Sequence, residues 1–198
     1  MKKPTWILLA VLTAVVAAAG QESAAGIKVG PILSLAGEGS MINDASNLLS
    51  LRGGLFYRRK ISSVLSIQPE IQVALKGARY YSVYWRSTES VHFNYLEIPV
   101  LLNAWLVGDT LEIFAGPYGA LLLGKPPLDA AHDWTWRENE LKSYDFGACL
   151  GARIWWRNFS LELQFSRGFV NVLPQIDVPE SEAGHFNTAF ALLVGYRL

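Results

Sequence analysis

Residues 159–166 read FSLELQFS, and this stretch decides the fold of the chain. Every second residue is Phe or Leu, and the residues between them are Ser, Glu or Gln. Successive side chains of a β-strand point to opposite faces of the sheet, so a period of two predicts a strand with one apolar and one polar face. Residues 65–76 (LSIQPEIQVALK) and 186–198 (FNTAFALLVGYRL) repeat the alternation.

Extended along the chain, the pattern predicts eight strands with alternately long and short connections. The predicted strands are residues 26–36, 47–58, 62–77, 91–107, 110–124, 142–157, 158–169 and 185–198. The predicted short connections are Arg59-Lys60, Gly108-Asp109 and Arg157-Asn158. One end of such a barrel carries long loops and the other tight turns, as in bacterial outer-membrane barrels. We therefore expect an all-β fold, an eight-stranded antiparallel up-and-down transmembrane β-barrel, over residues 26–198.

The composition excludes several classes of protein. The 198 residues are 51% hydrophobic and 17% charged, which is too apolar for a disordered chain or a coiled coil. Seventeen Lys and Arg balance seventeen Asp and Glu, whereas nucleic-acid-binding proteins carry a basic surplus. A single cysteine excludes an intramolecular disulfide framework and a Cys-rich zinc site.

The N-terminus has the pattern of an export signal. Lys2 and Lys3 precede an uncharged apolar run at residues 6–19, and small residues follow it. The run is shorter than a typical membrane-spanning helix, which favours a signal peptide over an uncleaved anchor. We predict a signal peptide at residues 1–20, with cleavage near 19–25.

The ionisable residues of the strands indicate which face points inward. A soluble lipocalin-like barrel or a β-sandwich would turn its apolar residues inward, whereas a membrane barrel turns them toward lipid. The apolar set is made of the largest side chains, and small and polar residues suit the narrow interior of eight strands. The charges on the polar face are nearly balanced, which predicts a structural ion-pair network in the lumen. Its predicted members are Lys28, Arg52, Glu70, Lys76, Glu97, Glu112, Arg153, Glu162 and Arg197.

Aromatic residues cluster near the predicted strand ends, as expected for two girdles at the membrane interfaces. The girdle at the tight-turn end would contain Tyr57, Trp105, Trp155, Trp156 and Tyr196. The girdle at the long-loop end would contain Tyr80, Tyr81, Tyr84, Trp85, Phe93, Tyr95, Tyr144 and Phe169.

Six blocks of sequence carry a resemblance to a known family. They are SIQPEI (66–71), LKGA (75–78), NYLEIPVLL (94–102), FAGPYG (114–119), SYDFG (143–147) and VGYRL (194–198). In their order and spacing the chain resembles the PorT-type, porin-like outer-membrane β-barrel proteins of Bacteroidetes-type bacteria. The final residue, Leu198, departs from the aromatic that is commoner there. The resemblance implies the fold, the outer-membrane location and an accessory role in a secretion or gliding apparatus, but no active site.

Few residues suggest chemistry. His92, His132 and His185 lie in or beside different long loops, so we expect no metal site, and no cofactor motif is present. His132-Asp133 would suit a catalytic pair, but a solvated loop is the preferred interpretation. Glu70 and Glu97 would suit acid–base chemistry, but their basic neighbours favour ion pairs. Cys149 is predicted to be an inert thiol on the inward face.

Four long loops would carry the function, at residues 37–46, 78–90, 125–141 and 170–184. Trp134, Trp136 and Arg137 form a candidate interaction patch, with contact at the lipid interface as the alternative.

We therefore expect a non-enzymatic protein of the bacterial outer membrane with a structural or interaction role and a lumen plugged by side chains. Expected partners are outer-membrane lipid and lipopolysaccharide, the barrel-assembly machinery during biogenesis and a protein at the extracellular loops, but no nucleic acid. The alternatives are a small porin-like channel, an outer-membrane enzyme that uses His132 and Asp133, and a soluble periplasmic lipid-binding β-barrel.

Overall fold

In the computed structural model, eight antiparallel strands close into a barrel in which each strand pairs with the next and the last returns to the first. The structure describes residues 23–35, 46–82, 87–124, 142–171 and 186–198. The strands are β1 (Ser23–Leu35), β2 (Leu48–Lys60), β3 (Leu65–Ser82), β4 (Ser87–Val107), β5 (Leu111–Leu122), β6 (Tyr144–Trp156), β7 (Phe159–Gly168) and β8 (Thr188–Arg197). Within these ranges no helix is long and apolar enough to cross a membrane. The predicted eight-stranded antiparallel barrel is confirmed, while the predicted signal peptide lies outside the described residues.

The barrel is polar inside and apolar outside. Along β7, Glu162 and Gln164 are buried, whereas Leu161 and Leu163 are 50% and 56% exposed. The same alternation holds along the other strands, so an apolar surface surrounds the barrel. Lipid tails solvate such a surface, whereas water does not. The barrel is therefore transmembrane, and a soluble lipid-binding barrel with apolar residues inward is excluded.

Glycines allow large interior side chains to lie directly against the barrel wall. A Cβ atom on Gly151 would fall under 3 Å from the Phe114 ring and from a backbone oxygen of β7. A Cβ atom on Gly26 would collide in the same way with the ring of Phe56. Only glycine leaves this space free, so these positions fit the aromatic rings into a narrow lumen.

The first tight turn begins two residues later than predicted. Strand β2 continues through Arg59 and Lys60, and residues 61–64 form the turn. The Ser62 hydroxyl accepts hydrogen bonds from the backbone N–H groups of Val64 and Leu65, at 3.3 and 3.1 Å. The serine side chain thus stabilises a turn that contains neither glycine nor proline, which explains why the sequence signal was weak.

The predicted loop at residues 78–90 is largely strand. The ladder between β3 and β4 continues without a break from Ala78↔Val91 to Ser82↔Ser87. The sequence prediction was wrong here because it relied on alternation between apolar and polar residues. Beyond the bilayer both faces of a hairpin can contact water, so backbone hydrogen bonds maintain the strands without that alternation. The predicted loops at 37–46, 125–141 and 170–184 lie mostly outside the described residues.

Substituting Gly151 with alanine should destabilise the barrel by about 1–3 kcal/mol, because the added methyl group overpacks the space occupied by the Phe114 ring. Gly119→Ala is the matched control, since a Cβ atom at that position meets nothing within 4 Å. Urea unfolding in lipid vesicles, followed by gel mobility without boiling, measures both. Equal unfolding midpoints for the two variants would contradict the proposed contact.

Candidate functional site

A cluster of buried charges occupies the lumen, the space enclosed by the eight strands, and Arg153 on β6 is its centre. Its guanidinium Nη2 lies 2.6 Å from Glu162 Oε2, and its Nε donates to the same oxygen at 2.7 Å. Nη1 pairs with Glu112, and Nη2 lies 3.9 Å from Glu70 Oε1. One cation therefore connects carboxylates from three other strands, all at most 2% exposed.

Lys28 on β1 completes a closed circuit of ion pairs around Arg153. Its Nζ lies 2.9 Å from Glu70 Oε1 and 2.8 Å from Glu162 Oε1. The amide of Gln68 adds a hydrogen bond, donated to Glu70 Oε1 at 2.6 Å. These two carboxylates therefore each contact two cations, which offsets much of the cost of removing charge from water.

Arg58 extends the cluster toward the tight-turn end. Its Nη2 lies 2.5 Å from Glu112 Oε1, and its Nε donates to Gln68 Oε1 at 2.8 Å. The guanidinium also lies over the rings of Trp155 and Trp105, 5.0 and 5.4 Å from their centroids. The indole N–H of Trp155 donates to Glu112 at 3.1 Å, so this acid has three donors. Cation–π contacts strengthen when the cation is desolvated, as Arg58 is here.

A second group of charges lies nearer the long-loop end. Glu97 forms ion pairs with Arg52, at 3.0 Å, and with Lys76, at 2.6 Å. The ammonium group of Lys76 also lies 5.7 and 5.1 Å from the ring centroids of Tyr95 and Tyr118. The tyrosine rings and the carboxylate therefore surround this ammonium group and replace water around it.

Asp145 is held by neutral donors. The Tyr118 hydroxyl donates to its Oδ2 at 3.2 Å, and the Asn187 amide donates to the same atom at 2.8 Å. A Cβ atom on Gly168 would collide with this carboxylate, so the acid rests directly on the wall of β7. No ion pair to Asp145 occurs among the residues the structure describes.

The buried charges balance one another. The buried cations are Lys28, Arg52, Arg58, Lys76 and Arg153. The buried acids are Glu70, Glu97, Glu112, Asp145 and Glu162. Because these groups are withdrawn from solvent and contact one another, they suit the stabilisation of a charged interior better than proton transfer to an external substrate.

The structure brings together eight of the nine residues proposed for the lumen network. Arg197, the ninth, is partly exposed, and its guanidinium lies 4.1 Å from the centroid of the Trp155 ring. Arg58 was not among the predicted members, because a run of basic residues before an expected turn resembles a solvated turn. The alternation from Arg52 through Phe56 leads to Arg58 on the same face and would have identified it.

Several aromatic residues face the lumen and not the lipid. The prediction was wrong for Tyr95 and Trp155, which are 1% and 4% exposed. Neighbouring residues of one strand face opposite sides, so Trp155 and Trp156 cannot both contact lipid. Trp156 does face outward, at 72% exposure, whereas Trp155 lies on the face of Arg153 and donates to a lumen carboxylate.

Several candidate residues lie outside the described residues. These are Trp134, Trp136 and Arg137 of the candidate interaction patch, together with His132, Asp133 and His185. Their roles stay predictions. In the part of the chain that is described, His92 is exposed, and no three His, Cys, Asp or Glu side chains group as metal ligands. Cys149 is buried on the inward face, as predicted.

Replacing Arg153 with methionine should cost about 3–5 kcal/mol of unfolding free energy, because three buried carboxylates lose a shared cation. Arg167→Met is the control, since Arg167 is exposed on β7 and its replacement should change stability by less than ~0.5 kcal/mol. Urea titration in vesicles measures the difference. Similar midpoints for both variants would show that the ion cluster adds nothing to stability.

Comparisons with solved structures return several proteins that are similar to this chain. The chain is similar to Ail, the attachment invasion locus protein of Yersinia pestis, with 13% identity and a TM-score of 0.47 over 89% of this chain and 99% of that one. Neisserial surface protein A matches with 9% identity and a TM-score of 0.47 over 90% and 99% of the chains. Outer membrane protein W of E. coli matches with 12% identity and a TM-score of 0.44 over the same shares.

A search among curated proteins returns no match. The sequence model described as the outer membrane protein beta-barrel domain matches residues 20–173. This match covers most of the chain and includes β1 to β7, and it agrees with the apolar exterior in indicating the outer membrane as the location. The chain therefore belongs to the outer membrane protein beta-barrel domain family.

Proposed function

We propose that this protein is a non-enzymatic outer-membrane barrel whose lumen is closed by its own side chains and whose activity resides in its long loops. The pairing of buried charges across the lumen carries the proposal. Arg153 alone joins Glu70, Glu112 and Glu162, which come from three other strands. Both Glu70 and Glu97, the two candidates for acid–base chemistry, are engaged in ion pairs.

A small channel is the competing function, and the lumen contents argue against it. Eight strands leave an interior just wide enough to be filled by side chains. A permeating ion would have to separate Arg153 from its carboxylates and Arg52 from Glu97, both within a dry interior. Separating buried pairs of this kind is strongly unfavourable. The paired charges therefore act as a plug.

Conductance in planar bilayers tests this proposal. The purified barrel should produce no stable current step, while a 16-stranded porin in the same bilayer should conduct. Insertion of the barrel is verified separately by its faster gel migration without boiling. A reproducible, ion-selective step from the inserted barrel would overturn the closed lumen and support the channel.

Because the lumen is closed, we expect the loops at the end opposite the tight turns to bind the partners. The candidate partners are lipopolysaccharide and a protein at the cell surface, contacted through the patch of Trp134, Trp136 and Arg137. Exposed aromatic residues beside an arginine are typical of binding surfaces. We further propose, from the resemblance in its sequence blocks, that the protein is of the PorT type, is exported by a cleaved signal peptide and assists a secretion apparatus.

Photo-crosslinking from the patch separates binding from simple contact with the membrane. A photoreactive phenylalanine at Trp134 or Trp136 in intact cells should form adducts with lipopolysaccharide or with a protein, and Arg137→Ala should reduce their yield. The same probe in place of Leu163, which faces outward in mid-strand, is the control for lipid contact. Adducts with phospholipid alone from both loop positions would show that the patch rests on the membrane.

A further inference from the structure

The turn between β6 and β7 contains an arginine at a position where a two-residue hairpin requires a left-handed backbone. Arg157 and Asn158 connect the paired residues Trp156 and Phe159. Arg157 has a φ of 56°, and it is the one non-glycine residue with positive φ among those the structure describes. This region is disfavoured for residues with long side chains, and glycine or asparagine is the usual choice in hairpin turns. The presence of arginine at this position is therefore explained by a contact outside the turn.

The surroundings of Arg157 are those of a membrane interface. Its guanidinium lies 5.6 Å from the centroid of the Trp156 ring, which is 72% exposed on the outward face. Next to it, the outward rings of Phe159 and Tyr196 are 5.0 Å apart. Tryptophan and tyrosine gather at the headgroup level of a bilayer, so these rings mark the lower limit of the apolar band.

Charge at this end of the barrel is mainly positive. The cations near the tight turns are Arg59, Lys60, Arg157 and Arg197, and the acid in these turns is Asp109. Among the described residues, no carboxylate forms an ion pair with Arg157. Its exposed guanidinium is thus available to an anion that approaches from the membrane side.

We propose that Arg157, whose guanidinium lies over the Trp156 ring, binds the phosphate of an anionic phospholipid in the leaflet at the tight-turn end, the periplasmic leaflet. A guanidinium presents parallel N–H donors that match two phosphate oxygens. The Trp156 ring holds this donor group at headgroup depth. With the left-handed backbone at residue 157, the Arg157 side chain lies beside the Trp156 ring.

The apolar surface above the turn selects a lipid over a free phosphate ion. Ile154 and Leu161 continue the outward face above Trp156 and Phe159, and each is at least half exposed. A phospholipid whose phosphate contacts Arg157 lays its acyl chains along this surface and buries apolar area. Inorganic phosphate would gain only the charged contact, in competition with water.

Native mass spectrometry of the full-length barrel in detergent tests the site. The protein is mixed with equal amounts of phosphatidylglycerol and phosphatidylcholine, and the ratio of the two retained lipids is measured. Arg157→Gln should lower the preference for phosphatidylglycerol about fivefold. Arg157→Lys should lower it by less than Arg157→Gln does, because lysine keeps the charge but loses the paired N–H donors. Arg167→Gln is the matched control, because Arg167 is exposed at the opposite end and lies 5.8 Å from the Phe186 ring. It should leave the ratio unchanged.

Arg157→Gly separates binding from a structural role. Glycine adopts a φ of 56° without strain, so this variant should unfold in phosphatidylcholine vesicles at the same or a higher urea concentration than the wild type, while losing the lipid preference. Lower stability of both the Gly and Gln variants would assign Arg157 a structural role and overturn the proposal. An unchanged preference in Arg157→Gly would also overturn it. So would loss of the wild-type preference on adding inorganic phosphate, but not chloride of equal ionic strength, since the ligand would then be free phosphate.

Discussion

Charged side chains buried in the lumen must pair with side chains of opposite charge, and the register of the strands depends on this pairing. The central cluster draws its members from six strands. They are Lys28 (β1), Arg58 (β2), Glu70 (β3), Glu112 (β5), Arg153 (β6) and Glu162 (β7). A shift of one residue in any of these strands would turn a charge toward lipid and a large apolar residue inward. The ion pairs therefore favour one register for each of these six strands.

The narrow lumen imposes a second condition, on volume. Large side chains such as Phe114 and Phe56 share the interior with the ion pairs, and there is room for their rings because Gly151 and Gly26 carry no side chain. The tryptophan at 155 fits for a different reason, since its N–H finds an acceptor in Glu112 while its ring lies against Arg58. The charged interior thus accommodates aromatic residues that would ordinarily be assigned to the lipid face.

The sequence predictions failed where apolar and polar residues no longer alternate, because the contrast between lumen and lipid that causes the alternation is absent there. Alternation of side chains follows from a polar lumen and an apolar bilayer, so it marks strands only within the membrane. The hairpin of β3 and β4 continues to Ser82 and Ser87, where the sequence no longer alternates but the backbone ladder is unbroken. The turn at residues 61–64 was placed too early for a similar reason, because a serine hydroxyl stabilises it in place of glycine.

The sequence by itself determined the number of strands, their antiparallel order, the inward face of each and the near balance of lumen charge. These properties can be predicted from each strand separately, because side chains alternate between the two faces with a period of two residues. The tertiary structure alone decided which charges meet. Lys28 and Glu162 are 134 residues apart in the sequence, and Arg58 and Glu112 are 54 residues apart, yet each pair forms an ion pair. Such pairs exist only once the sheet closes on itself, since closure brings side chains from strands that are not paired with each other into the same narrow space.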